Sequence, residues 1–134
     1  MIIVQRTFTY LLLTLLIWPT VAYTARTGIG SWYSQEVCEM WTRRDHTDCP
    51  TASGKDLRDL EAAGTYFAAS WQAPLGSRLR VCHMEEPDRC VVVTILDRGP
   101  ARRLGRVIDL CKACFSLLAH PDEGIVPVTI ERLE

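Results

Sequence analysis

The stretch Cys90-Val-Val-Val-Thr-Ile-Leu-Asp97 constrains this chain more than any other. It is a run of β-branched and apolar residues that stops at Arg98-Gly99-Pro100. A shorter apolar run, Val107-Ile-Asp-Leu110, follows almost at once. Runs of this kind ending at Gly-Pro read as strands feeding a turn. The pattern therefore puts two carboxylates, Asp97 and Asp109, at or near the ends of two strands.

Further strands are predicted near Gly28–Tyr33, Tyr66–Ala69, Arg78–Cys82 and Val126–Arg132, besides Cys90–Leu96 and Val107–Leu110. Several short strands with close turns and few helices argue for a closed barrel rather than an open sheet. Cys111–Ala119 carries apolar residues at Cys111, Cys114, Phe115 and Leu118, the spacing of an amphipathic helix. Lys55–Ala63 is predicted as a short helix, with Ser53 as cap and Gly64 as stop. Ser34–Pro50 is polar and has no clear period, so it is read as a cross-linked loop. The chain of 134 residues suits a single domain.

Residues 1–22 are predicted to be a secretory signal. Arg6 supplies the charge, Tyr10–Trp18 the apolar core, and Thr20-Val-Ala22 the small residues before cleavage. The apolar run is short for a membrane span of about 20 residues; retention as an anchor is the alternative. No cysteine follows the apolar core, so no lipid anchor is expected. The domain is assigned to 23–134, and the protein to the secreted or periplasmic space. The net charge is −1, and losing the signal removes one more arginine. Nucleic acid is not expected as a partner on that balance, although Arg98, Arg102, Arg103 and Arg106 make a local basic cluster.

Export also governs the cysteines. All six (Cys38, Cys49, Cys82, Cys90, Cys111 and Cys114) follow the signal, and an even count in a short exported chain implies disulfides. Cys82 and Cys90 flank a polar turn and are expected to bridge a hairpin, contributing roughly 2–3 kcal/mol. Cys111-Lys-Ala-Cys114 has the C-x-x-C form of redox and zinc sites. Export argues against zinc, and no metal or cofactor is expected. On a helix the two thiols share a face, so bridges from Cys38 and Cys49 to Cys111 and Cys114 are expected, in an order left open.

Ile95-Leu-Asp-Arg-Gly-Pro100 and Val107-Ile-Asp-Leu110 resemble the core signature of the rare lipoprotein A family, which groups with expansins, barwin-like proteins and family-45 endoglucanases. Gly30-Ser-Trp-Tyr33, Thr51-Ala-Ser-Gly54, Ala68-Ala-Ser70 and Pro74-Leu-Gly-Ser-Arg-Leu-Arg-Val81 resemble its other segments, in the same order. The likeness runs from about Gly28 to Leu133. It implies an all-β, six-stranded double-psi β-barrel with one or two short helices and disulfide cross-links. It also implies a partner, cell-wall polysaccharide in the form of peptidoglycan glycan strands, and a reaction, lytic transglycosylation. A monomer is expected.

The resemblance places Asp97 where rare lipoprotein A enzymes hold an essential aspartate. It places Asp109 where related endoglucanases hold the catalytic acid. Cleaving a glycosidic bond needs an acid that can protonate the leaving oxygen. Each aspartate also has a structural reading. Asp97 can hold the Arg-Gly-Pro turn, and Asp109 can cap the helix near Cys111, which is the preferred reading for Asp109. Two positions depart from the family. Lys55 stands where a glutamate is usual, and Ser70 where a histidine is usual. Neither can replace the lost acid–base group unaided. Asp56, Asp59 or Glu61 offers a shifted carboxylate.

Among Trp32, Tyr33, Trp41 and Trp71, Trp32 and Tyr33 are adjacent on a strand and face opposite ways. Tyr33 is assigned to the groove, with Trp71 beside it; core packing is the competing reading for any large aromatic. The expected site thus joins Asp97 and Asp109 with Tyr33, Ser53 and Trp71, and has Lys55 and Ser70 at its rim. His46, His83 and His120 read as surface residues. Two other functions compete with catalysis: an expansin-like wall binder without catalysis, and a barwin-like secreted interaction protein.

Overall fold

The computed structural model describes residues 25–42 and 49–133, with side chains omitted at 40–42. The expected signal at 1–22, His46 and the side chain of Trp41 lie outside the described residues. Six strands form the barrel: β1 (Arg26–Tyr33), β2 (Phe67–Ala69), β3 (Arg78–His83), β4 (Cys90–Asp97), β5 (Arg106–Cys111) and β6 (Ile125–Leu133). They close in the order β1-β5-β2-β4-β3-β6. The pairs β1–β5 and β2–β4 are parallel and the other four antiparallel. The closed all-β barrel and all six strands agree with the sequence reading.

Alternation builds the interior. Val91, Val93 and Ile95 of β4, Leu79 and Val81 of β3, Ile108 and Leu110 of β5, and Val126, Val128 and Ile130 of β6 are buried. Each such side chain contributes about 1.5–3 kcal/mol relative to exposure. The helix after β5, α3 (Lys112–Ser116), packs on β1 and β5 and adds buried Cys114 and Phe115 to the core. At Gly28 an added Cβ would sit 2.5 Å from both γ carbons of Val107, so only glycine lets β1 approach β5 there.

Three local expectations need correction. Ser34–Pro50 is not all loop: α1 (Gln35–Thr42) begins there, with the Ser34 hydroxyl accepting from Val37 N. The helix α2 is Leu57–Ala62, and its cap is Asp56 rather than Ser53. The reason lies at Lys55, whose carbonyl accepts from both Thr51 N and Thr51 Oγ1, which ties it into a turn. Gly64 does end that segment, at φ 66°.

The third correction concerns the bridges. Cys82–Cys90 forms as expected. The others are Cys38–Cys49 and Cys111–Cys114, so neither crosses from the loop to α3. Cys111 lies at the end of β5 and Cys114 one turn into α3, with Cα atoms 5.1 Å apart. That is within ordinary disulfide reach. Cys38 on α1 meets Cys49 at 6.5 Å and closes its own segment.

Candidate functional site

The register of the sheet builds the site. Ala69 on β2 pairs with Asp97 of β4 on one side and Asp109 of β5 on the other. Asp109 in turn pairs with Ser31 of β1. Registered neighbours in a sheet point to the same side. Asp97, Ala69, Asp109 and Ser31 therefore form one row across four strands. Ile108 and Leu110 flank Asp109 and point inward, so the row faces away from the barrel interior.

A bulge makes this row possible. Ala68 pairs with Ile95, but Ala69 pairs with Asp97, so Leu96 is skipped. With simple alternation Asp97 would share the inward side of Ile95. The extra residue reverses that, which is how bulges re-aim a side chain. Small Ala69 separates the carboxylate-bearing strands, whose backbones are thus about 10 Å apart at two strand spacings.

Asp97 accepts three hydrogen bonds. Its Oδ1 accepts from Ala52 N at 2.9 Å and Arg98 N at 2.8 Å. Its Oδ2 accepts from the Tyr33 hydroxyl at 3.3 Å. The Arg98 bond is the turn-holding role expected of it. The Ala52 bond adds a long-range one, since it lays the Thr51–Gly54 loop against the end of β4. Ser53 N donates to Leu96 O in the same junction, and the Ser53 and Thr51 hydroxyls bond at 2.8 Å.

Asp109 does not cap α3. Cys111 holds the cap position, and Asp109 instead accepts the Ser31 hydroxyl at 2.8 Å. Its position in β5, two residues earlier, directs it sideways onto β1. Burial pushes its pKa up from the ordinary value, and the Asp97 charge adds to the rise. The Ser31 bond and the Arg106 charge oppose these without cancelling them. Tyr33 is raised strongly, first by burial and then by both aspartates, so it remains a neutral donor.

The remaining predicted residues separate. Tyr33 joins the site through its hydroxyl, while its ring packs edge-on to Phe67 at 5.8 Å. Trp32 turns the other way and donates to Pro121 O. Lys55 is exposed on the loop. Ser70 is not at a rim: it is 0% exposed, donates to Val107 O and accepts from Gln72 N. Trp71 is 49% exposed, and its indole N–H donates to Pro100 O at 3.0 Å. Asp56 is consumed by capping, accepting from Arg58 N and Cys49 N. His83 and His120 accept backbone N–H groups in their own turns.

Sequence reasoning missed the role of Ser31, although it lies in a quoted motif; its partner is visible only through the β1–β5 register. Beside the row is a cleft of about 450 Å³, lined by Ser34, Glu61, Phe67, Cys111 and Lys112 among others, but by neither aspartate. Among the described residues no group of three His, Cys, Asp or Glu side chains is placed to hold a metal.

Residues 25–130 match the family model described as lytic transglycolase. The uncharacterized protein ssl3177 of Synechocystis sp. is 40% identical over 70 residues, covering 52% of this chain and 71% of that protein. The apo expansin of Clavibacter michiganensis superposes with a TM-score of 0.58 at 18% identity, covering 83% of this chain but 51% of the expansin. A mutant of that expansin, solved in complex with cellohexaose, also gives a TM-score of 0.58, at 16% identity and with the same coverage of 83% and 51%. The Streptomyces papain inhibitor gives 0.57 at 22% identity, covering 83% of this chain and 96% of the inhibitor. At these identities the structural likeness bears on fold alone, and the chain spans about half the length of the expansin.

Proposed function

Because this chain belongs to the lytic transglycolase family of double-psi β-barrels, we propose that it is a secreted or periplasmic domain acting on cell-wall glycan, with Asp109 as acid–base. One observation carries the reading. Two carboxylates stand in one outward row, one accepting three hydrogen bonds and the other half-buried with a raised affinity for its proton. Environments that divide two carboxylates in this way assign acid and anion roles.

The proposed step is internal displacement. Asp109 gives its proton to the glycosidic oxygen as the bond from that oxygen to C1 breaks. Asp97 contributes fixed negative charge near the developing positive charge at the sugar. The 6-hydroxyl of the same sugar bonds to C1, and its proton returns to Asp109. No water is consumed, and the product carries an anhydro end. The Thr51–Gly54 loop and the neighbouring cleft would let a linear ligand continue past the row. The three disulfides fit an oxidising compartment.

A second reading, binding without cleavage, is favoured by Lys55 and Ser70. The family's usual glutamate and histidine are absent, and buried Ser70 offers no proton relay. The expansin complex with cellohexaose makes polysaccharide binding on this fold a concrete alternative. Digestion of purified sacculi with the domain, read by mass analysis, separates the two. Anhydro-ended fragments are the expected result. Sedimentation with sacculi without fragments would select the binder. The absence of both fragments and sedimentation would end the glycan reading.

A further inference from the structure

The Asp97 turn leads into a segment that neither the barrel nor the carboxylate row requires. Positions 98–106 hold Arg98, Arg102, Arg103 and Arg106 and no acidic residue, in a chain whose net charge is −1. The ion pairs among the described residues are Arg58–Glu39, Arg80–Glu131, Arg89–Glu86 and His120–Asp122. None involves these four arginines. Arg102 and Arg103 are exposed, and the short turn they occupy buries no residue.

This corner is nevertheless ordered by specific contacts. The Trp71 ring is fixed by its bond to Pro100 O. The guanidinium carbons of Arg102 and Arg98 lie 5.2 and 5.9 Å from the ring centroid. Arg98 also donates to the carbonyls of Ser70 and Ala73 at 2.7 Å, which holds the Trp71 loop in place. Those acceptors are neutral carbonyls. Cation–π contact restrains a long arginine before any ligand arrives, which lowers the ordering cost of binding.

We propose that Trp71, Arg102 and Arg103, supported by Arg98 and Arg106, form a subsite for a carboxylate-bearing sugar next to a neutral sugar at the Asp97–Asp109 row. This rests on the glycan reading above and adds a substrate class to it. Arginine pairs with carboxylates in a two-pronged geometry, and the Trp71 ring holds the Arg98 and Arg102 guanidiniums together at this corner. The neighbouring aspartates decide what kind of anion fits. Arg98 follows Asp97 directly, and Arg106 is close enough to Asp109 to influence it. A uniformly charged polyanion would put negative charge against both aspartates. A chain alternating acidic and neutral units avoids that repulsion.

The test is calorimetric binding of a hyaluronan hexasaccharide, in which glucuronate alternates with N-acetylglucosamine, against the same hexasaccharide with its carboxylates reduced to alcohols. The acidic form is expected to bind at least tenfold tighter at low salt, with the preference shrinking as salt screens it. In the double variant Arg102→Gln, Arg103→Gln the preference is expected to fall below threefold. Equal binding of the two forms, or an unchanged preference in the variant, overturns the subsite and leaves the glycan reading intact. Tighter binding of a single-stranded DNA 20-mer than of hyaluronan would mean a general polyanion surface and also overturns it. Failure to bind either sugar while sacculi are still bound rejects the subsite alone. Failure to bind sugars and sacculi together rejects both readings.

Discussion

The carboxylate row and the arginine corner are neighbours built on different principles. In the row, backbone pairing sets the positions: Asp97, Ala69, Asp109 and Ser31 are neighbours because four strands are in register. In the corner, side chains set them: Trp71 hangs on one carbonyl and Arg98 grips two. A row of this kind shifts only if the barrel shifts. A corner of this kind can change residue by residue without disturbing the core. The lesson is a division of labour, in which the sheet holds the groups that need fixed geometry and the connections hold those that choose a ligand.

The strongest way to break this contrast is at Asp109. Asp109→Asn keeps the acceptor for Ser31 but has no acidic proton, so anhydro-fragment release from sacculi is expected to fall by about 10²–10⁴-fold. Its melting temperature should barely move. An Asn variant that still cleaves would remove Asp109 from the chemistry.

Asp97 should behave the other way, with stability as the main readout. Asp97→Ala strands Ala52 N, Arg98 N and the Tyr33 hydroxyl, and should cost about 2–4 kcal/mol in denaturant unfolding. Asp97→Asn can still accept both backbone bonds on one oxygen and donate to Tyr33 with its amide, so it should recover most of that loss. If both variants are equally unstable, the charge itself holds the junction. If neither is destabilised, the three hydrogen bonds contribute little. Gly28→Ala tests the strand contact beneath the row. The clash with Val107 should cost about 1–3 kcal/mol, and Gly28→Ala with Val107→Ala should recover part of it.

The smallest expected effect is the pH dependence from Asp109. Its folded pKa lies above the unfolded value of 3.8, so the folded state binds the proton more tightly. Its contribution to stability is therefore complete below the unfolded value and is lost as pH rises through the folded one. The stability of the wild type relative to Asp109→Asn should fall as pH is raised through that window. A rise instead would mean that the Ser31 bond and the Arg106 charge outweigh burial.

The strands were legible because their causes are local. The runs Val91–Leu96, Val107–Leu110 and Val126–Ile130 are rich in β-branched residues, and the first stops at a Gly-Pro turn, which is what strands show locally. The helix α1 was missed because eight residues with a buried serine cap carry too weak a periodic signal. Ser53 has the chemistry of a cap, but Asp56 won because Lys55 is held in the preceding turn. The cysteine pairing failed because helical spacing shows that two thiols share a face without showing what that face meets. Ser70 was expected at a rim, yet its neighbours on β2 carry it inside.

By itself, the sequence determined the strand content, the hairpin bridge at Cys82–Cys90, and the placement of Asp97 at the end of one strand and Asp109 near the end of another. Those follow from side-chain branching, turn chemistry and short loop length, which act over a few residues. Only the tertiary structure decided that Leu96 is bulged out, that Ala69 stands between the two aspartates, and that Asp109 meets Ser31 rather than a helix end. These depend on which strands pair and in what register. Register is an agreement between segments as far apart as Ser31 and Asp109, reached when the barrel closes around its core.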